Sequence, residues 1–169
     1  MRIDWSNLIT PNGRSPSWNE IREFEVSVGF EFPIEFKLFL FQYNGGKVHV
    51  EHSFFIEIEG VEFEAGVDEL FPLNALGKHS IGLIEWRRVQ LEQRSARANL
   101  LIIGDDMGTG RYYMSLGEGA FGAIFFAYDD DVGCEEQGWE HRDAGIPSYM
   151  VRIADSFNDF ALVIWQGRE

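Results

Sequence analysis

Three stretches of this chain carry residue types that could do chemistry. The first is Gly104-Asp105-Asp106-Met107-Gly108-Thr109-Gly110. Glycine-rich loops can offer backbone N–H groups to phosphate, but no Gly-Lys-Ser/Thr follows at P-loop spacing. Gly108-Thr109-Gly110-Arg111-Tyr112-Tyr113 also lacks the third glycine of a dinucleotide fingerprint. Asp105 and Asp106 would repel phosphate, and the strand pattern that follows brings no helix N-terminus to an anion. The loop reads as a structural turn. The second stretch is acidic, with Asp129, Asp130, Asp131, Glu135 and Glu136 close together. Carboxylates at this density suit Ca²⁺, but Asp129-x-Asp131-x-Gly133 departs from the EF-hand spacing and the terminal Glu is misplaced. A solvated or partner-binding loop fits better. The third is the pair His49 and His52, which on a strand point to opposite faces and cannot chelate together. There is no His-Glu-x-x-His and no Gly-x-Ser-x-Gly. Cys134 lies among acidic residues, where negative charge disfavours the thiolate. The expectation is no catalytic, cofactor or metal constellation.

Composition narrows the class further. The 169 residues suit one domain over 1–169, with 1–16 as a lead-in segment. Aromatic content is 15%, with 15 Phe and 5 Trp, so a substantial core is available and disorder is excluded. No apolar run reaches the roughly 18 residues of a membrane span, and the N-terminus has no signal-peptide core. A single cysteine excludes an internal disulfide. A cytoplasmic location follows as the expectation. The formal charge is −14. Nucleic-acid binding needs a basic patch, and Arg87, Arg88, Arg94 and Arg97 are diluted by Glu85 and Glu92. An acidic surface instead attracts a basic protein partner.

The elements that would position any site begin with two helices. Ser17-Trp18-Asn19-Glu20 is a capping box, and Ile21, Phe24 and Val28 make the stripe of a first helix that stops near Gly29. Pro33 suits the first position of a second helix, and Gly45 or Gly46 its left-handed end. Ile34, Leu38 and Phe41 share one face of that helix, while Phe36, Phe39, Leu40 and Tyr43 cover the opposite one. Two apolar faces predict two apolar neighbours and a central place in the fold. From Val48 to Phe63 the period becomes two, which predicts a meander of strands with one solvated face. Leu70-Phe71-Pro72-Leu73 reads as an irregular connection. Ser80 to about Arg94 reads as a third helix, with Ile81, Ile84 and Leu91 on its apolar side and Arg87, Arg88 and Arg94 favoured by its dipole. Leu100–Ile103 reads as a strand buried on both faces, followed by strands at 112–116 and 122–128. Residues 129–147 read as the most mobile stretch. Ser156 caps a last helix with Phe157, Phe160, Ala161 and Ile164 as its stripe. The order predicts an α+β fold: an N-terminal helix pair on a largely antiparallel sheet, with a C-terminal helix.

Four segments in this order resemble the SUKH superfamily. They are Ile21-x-x-Phe24-Glu25 leading to Gly29-Phe30-x-Phe32-Pro33-x-x-Phe36-Lys37-x-Phe39-Leu40-x-x-Tyr43-Asn44-Gly45-Gly46; Ile102-Ile103-Gly104-Asp105-Asp106-x-Gly108-x-Gly110; Gly122-Ala123-Ile124-Phe125-Phe126 with Tyr128-Asp129-Asp130; and Ile153-Ala154-x-Ser156-Phe157-x-x-Phe160. The resemblance implies an α+β fold without catalysis, in which Gly45, Gly46, Gly104, Gly108 and Gly110 are turn positions. It implies a bacterial immunity protein that binds and neutralises a cognate toxin, often a nuclease and therefore basic. The alternative it implies is a regulatory interaction module, as in fungal relatives that control cell-wall glucan synthesis. A hydrolase or small-ligand protein using Asp105 or Asp106 is the remaining reading. No partner contact transfers from the resemblance. The acidic residues Asp129, Asp130, Asp131, Glu135 and Glu136, with Trp139, are the candidate contacts.

Overall fold

A computed structural model describes residues 4–49, 53–58, 61–74, 81–92, 99–106, 108, 110–128, 141–142, 146–147 and 150–166. The first helix, Trp18–Val28 (α1), starts where its cap dictates. The Ser17 hydroxyl accepts the Glu20 N–H at 3.2 Å, and Glu20 accepts the Ser17 N–H at 2.7 Å. Gly29 ends it with a φ of 81°, and Ile21, Phe24 and Val28 are buried. These features match the sequence.

The second helix, Ile34–Tyr43 (α2), differs from expectation at both ends and on one face. Pro33 is the N-cap with an extended ψ of 140°, one residue before the helix. The left-handed residue that ends it is Asn44, with a φ of 54°. Gly45 and Gly46 follow, also at positive φ, and both abut backbone. A Cβ on Gly46 would lie 2.5 Å from the Thr10 carbonyl, and one on Gly45 would collide with the Leu70 carbonyl. The two-faced packing predicted for α2 is corrected. Phe36, Phe39 and Leu40 are buried, but Ile34 is 56% exposed, and Leu38 and Phe41 face outward as well. The α1 stripe meets the inner face in a chain of rings, Phe24 to Phe32 at 5.5 Å and Phe32 to Phe36 at 5.8 Å, while on the second face α1 reaches Phe41 through Trp18, and both of those rings stay exposed. Glu25 ties the pair together. It holds Lys37 at 3.1 Å and accepts the Phe32 N–H at 2.7 Å.

Seven strands form the main sheet. In chain order they are Ile9–Pro11 (β1), Gly46–Val48 (β2), Glu69–Leu70 (β5), Leu100–Asp105 (β6), Gly110–Ser115 (β7), Ile124–Tyr128 (β8) and Val151–Ala154 (β11). Their spatial order is the same as their chain order, and each neighbouring pair is antiparallel. Ser53–Ile58 (β3) and Val61–Gly66 (β4) make a separate antiparallel ribbon. The predicted meander is therefore corrected: β2 pairs with β1 and β5, and its continuation leaves the sheet. His141–Arg142 (β9) and Ile146–Pro147 (β10) form a third small pair. The supposed irregular connection at 70–73 begins inside the sheet, as β5.

Adjacent residues of β7 point to opposite faces, and so separate two layers. Tyr112 meets Phe160 of the last helix, Phe157–Gln166 (α4), at 5.2 Å and Phe54 of the ribbon at 6.4 Å. Arg111 instead lies over Trp86 of Leu83–Glu92 (α3) at 4.9 Å. The pair α1–α2 joins α4 through Phe36 and Phe39, each 5.0 Å from Phe157, with Trp5 stacked on Phe157 at 5.1 Å. The capped helix at Ser156 and its stripe appear as the sequence predicts. The result is an α+β fold with a mostly antiparallel sheet and a C-terminal helix.

The third helix is rotated from its predicted facing. Leu83, Arg87 and Gln90 are buried, whereas Ile81, Ile84 and Leu91 are exposed. Arg87 reaches inward to donate to the Leu100 carbonyl at 3.2 Å, so burial lowers its pKa and the helix dipole is not its main partner. A guanidinium can cap a strand carbonyl at the end of a long apolar stem, which hydropathy alone does not register. Arg94 lies outside the described residues.

These contacts predict unequal effects on the two faces of α2. Phe39→Ala should cost about 3–5 kcal/mol, as a fully buried ring leaving a cavity. Ile34→Ala should change stability by no more than about 0.5 kcal/mol, as an exposed position. Urea denaturation of the two variants measures both.

Candidate functional site

The glycine-rich turn lies between β6 and β7, and it is built from Asp106. One carboxylate oxygen, Oδ1, accepts the N–H groups of Gly108 and Gly110, each at 2.8 Å. That oxygen satisfies two donors that a phosphate would otherwise need. Gly110 has no room for a side chain, because a Cβ there would strike the Phe126 ring, and a Cβ on Gly104 would lie 2.5 Å from the Glu69 carbonyl. Gly108, by contrast, has space around it. Of the expected turn positions, Gly45 lies between α2 and β2, whereas Gly46, Gly104 and Gly110 are residues of β2, β6 and β7, and all four are explained by close approach.

Asp105 behaves differently from Asp106. The β6–β7 register shifts between Ile102 and Gly104, and the shift places Asp105 opposite Arg111. On its other side Asp105 pairs with Glu69 of β5. Its Oδ1 atom is buried and makes no hydrogen bond among the described residues. Burial pushes the Asp105 pKa up to about 7, Arg111 opposes the rise, and Glu69, Asp68 and Asp106 add to it. Arg111 in turn lies over Trp86, which stacks on Phe71 at 5.6 Å. A carboxyl group that titrates near neutrality can serve as an acid or base. Here its buried oxygen has no hydrogen-bonded nucleophile among the described residues, so the arrangement reads as a carboxyl held between a guanidinium and three carboxylates. Among the described residues no group of three His, Cys, Asp or Glu side chains could hold a metal ion. His49 lies 3.3 Å from the Thr10 hydroxyl.

The nominated contacts Asp129, Asp130, Asp131, Glu135, Glu136 and Trp139 lie outside the described residues. So do Cys134, His52 and His79. Two exposed surfaces that the sequence did not single out are described instead. On the helical pair, Trp18 stacks on Phe41 at 4.9 Å while both stay partly exposed, beside Ile34 and Leu38. On the ribbon, Phe55 is 67% exposed among glutamates. The signals were present in the sequence: helical spacing for the first and strand alternation for the second. Which face of each element meets the core was not.

The sequence model of the SMI1 / KNR4 family (SUKH-1) matches residues 16–162. The chain belongs to the SUKH-1 family. The match spans α1 through most of α4 and takes in both the Asn44-Gly45-Gly46 turn and the Asp106 turn. No curated protein matches the chain. SUKH-1 membership is consistent with a partner-binding role, in immunity or in regulation. No helix among the described residues is long and apolar enough to cross a membrane.

The raised pKa of Asp105 has a definite sign in stability. A carboxyl whose folded pKa is about 7, above its unfolded value of 3.8, binds more protons folded than unfolded between those values. It therefore lowers stability as pH rises through that window. Asp105→Asn should remove this dependence. The melting temperature of the variant should gain on the parent chain between pH 5 and pH 8, as followed by circular dichroism in matched buffers.

Proposed function

We propose that this SUKH-1 chain is an immunity protein that binds and neutralises a cognate toxin by non-covalent occlusion. The observation that carries the reading is the family match over residues 16–162. The formal charge of −14 supports it and indicates the chemistry of the partner. A nuclease toxin carries positive charge to hold its polyanionic substrate. An acidic protein can cover that surface, with long-range attraction setting the on-rate and buried aromatic contacts setting the off-rate. We assign Asp129, Asp130, Asp131, Glu135 and Glu136 to steering and Trp139 to apolar contact. No catalytic group is assigned, because occlusion needs none. In this reading the chain acts where its toxin would otherwise act on the producing cell, which is the cytoplasm for a nuclease.

A regulatory interaction module is the alternative within the same family. The two readings differ in the partner, so the adjacent gene product discriminates between them. Co-expression of this chain should restore growth to cells expressing a toxic neighbour, and the purified pair should bind with strong salt dependence. Reversing Asp129, Asp130 and Asp131 to Lys should lower the association rate about tenfold and flatten its salt dependence. Stopped-flow mixing across a salt series measures this. Unchanged kinetics would remove the loop from the interface, and a growth defect that persists under co-expression would remove the immunity reading itself.

A further inference from the structure

We propose that the outer face of the β3–β4 ribbon is a docking surface for a basic protein, with Phe55 as its apolar anchor and Glu57, Glu62 and Glu64 as its charged rim. The proposal rests on the partner-binding reading above and names for it residues other than the acidic run at 129–136.

Strand alternation assigns the two faces. Phe54, Ile56 and Ala65 are buried, and Phe54 meets Tyr112 of the sheet at 6.4 Å. Phe63 shares the face of Ile56, edge-on to Tyr128 at 6.4 Å, but is itself partly exposed. The opposite face carries Phe55, Glu57, Glu62 and Glu64, all exposed. The register places Phe55 across from Glu64, and Glu57 across from Glu62. Like charges directly opposite on neighbouring strands destabilise the pair, whereas opposite charges or threonines would stabilise it. Residues 53–66 contain four glutamates and no lysine or arginine, so nothing within the ribbon compensates. A surface shaped only for solubility has no need of a phenylalanine that is 67% exposed beside those carboxylates.

Charge complementarity selects the occupant. Anionic lipid and nucleic acid would be repelled by the rim. A second copy would bring a further charge of −14 and the same glutamates against this face. A protein segment with an apolar side chain flanked by lysines or arginines satisfies both features. Its apolar group seats on Phe55, and its cations relieve the Glu57–Glu62 repulsion. An exposed aromatic anchor bordered by charged side chains is the kind of patch in which few residues carry most of the binding energy.

The test uses the isotope-labelled full chain and a short synthetic peptide of alternating lysine and leucine, at low salt. Its control is the same peptide with glutamate in place of lysine. Amide shifts should centre on residues 53–58 and 61–66 for the basic peptide and be absent for the acidic one. Phe55→Ala, and separately the double variant Glu57→Lys with Glu64→Lys, should each raise Kd about tenfold. Both variants alter exposed positions, so neither should lower the melting temperature by more than a small amount, and relief of the Glu57–Glu62 repulsion should raise it in the lysine variant. Shifts centred elsewhere, or a Kd within about twofold of the parent for both ribbon variants, would overturn the proposal. The same variants are then offered to the adjacent gene product. If the parent chain fails to bind it, the toxin reading falls and the peptide result alone decides the ribbon. If the parent binds and the ribbon variants bind equally, the toxin reading stands and the ribbon proposal falls.

Discussion

Asn44 leaves α2 in the left-handed conformation, and its side chain is used on both sides. The amide nitrogen donates to the Arg14 carbonyl at 2.8 Å, and the amide oxygen accepts the Leu73 N–H at 2.9 Å. The residue is 2% exposed, so these bonds satisfy polar atoms that water cannot reach. Gly45 and Gly46 then pass so close to β5 and β1 that neither position tolerates a Cβ. Within three residues the chain goes from central helix to sheet and fixes the first three strands of that sheet relative to α2. The rest of the fold depends on this junction, because β5 places β6, and β6 carries β7 and β8.

The helical layer is held by aromatic rings more than by any polar contact. Phe157 is touched by Trp5, Phe36 and Phe39, so one residue of α4 joins the lead-in turn, the central helix and the C-terminal helix. The same helix reaches the sheet through Phe160 and Tyr112. Rings of this size make large contact areas and fix the angles at which elements meet. With the interior so occupied, the apolar side chains left outward among the described residues include the Ile34–Leu38–Phe41 face of α2 and Phe55 on the outer face of the ribbon.

The carboxylates of the glycine-rich turn illustrate how a chemical-looking motif becomes structure. Asp106 is consumed by two backbone donors, and those bonds close the turn. Asp105 is partly buried between Glu69 and Arg111, where it costs stability at neutral pH, and its buried Oδ1 makes no hydrogen bond among the described residues. Its position follows from one irregularity in the β6–β7 ladder. Without the shift after Ile102, the side chain would face the α4 side of the sheet.

The sequence alone determined what depends on neighbours along the chain. The capping box at Ser17, the side-chain cap at Ser156, the stripe Ile21–Phe24–Val28, the buried run at 100–103 and the family signature are local patterns, and the folded chain shows each of them. Helix and strand periods are set by backbone geometry, so they are legible residue by residue. What only tertiary structure decided is which face each element turns inward. The outer face of α2 reads as apolar as its inner face, and α3 buries an arginine and a glutamine while exposing Ile84 and Leu91. Ile9–Pro11 is too short to announce itself as a strand and exists through its pairing with Gly46–Val48. The ribbon has the alternation of a sheet strand yet leaves the sheet, because β2 finds β5 as its neighbour instead. Pairing and burial are choices among distant partners, and hydropathy along the chain carries no term for the partner that wins.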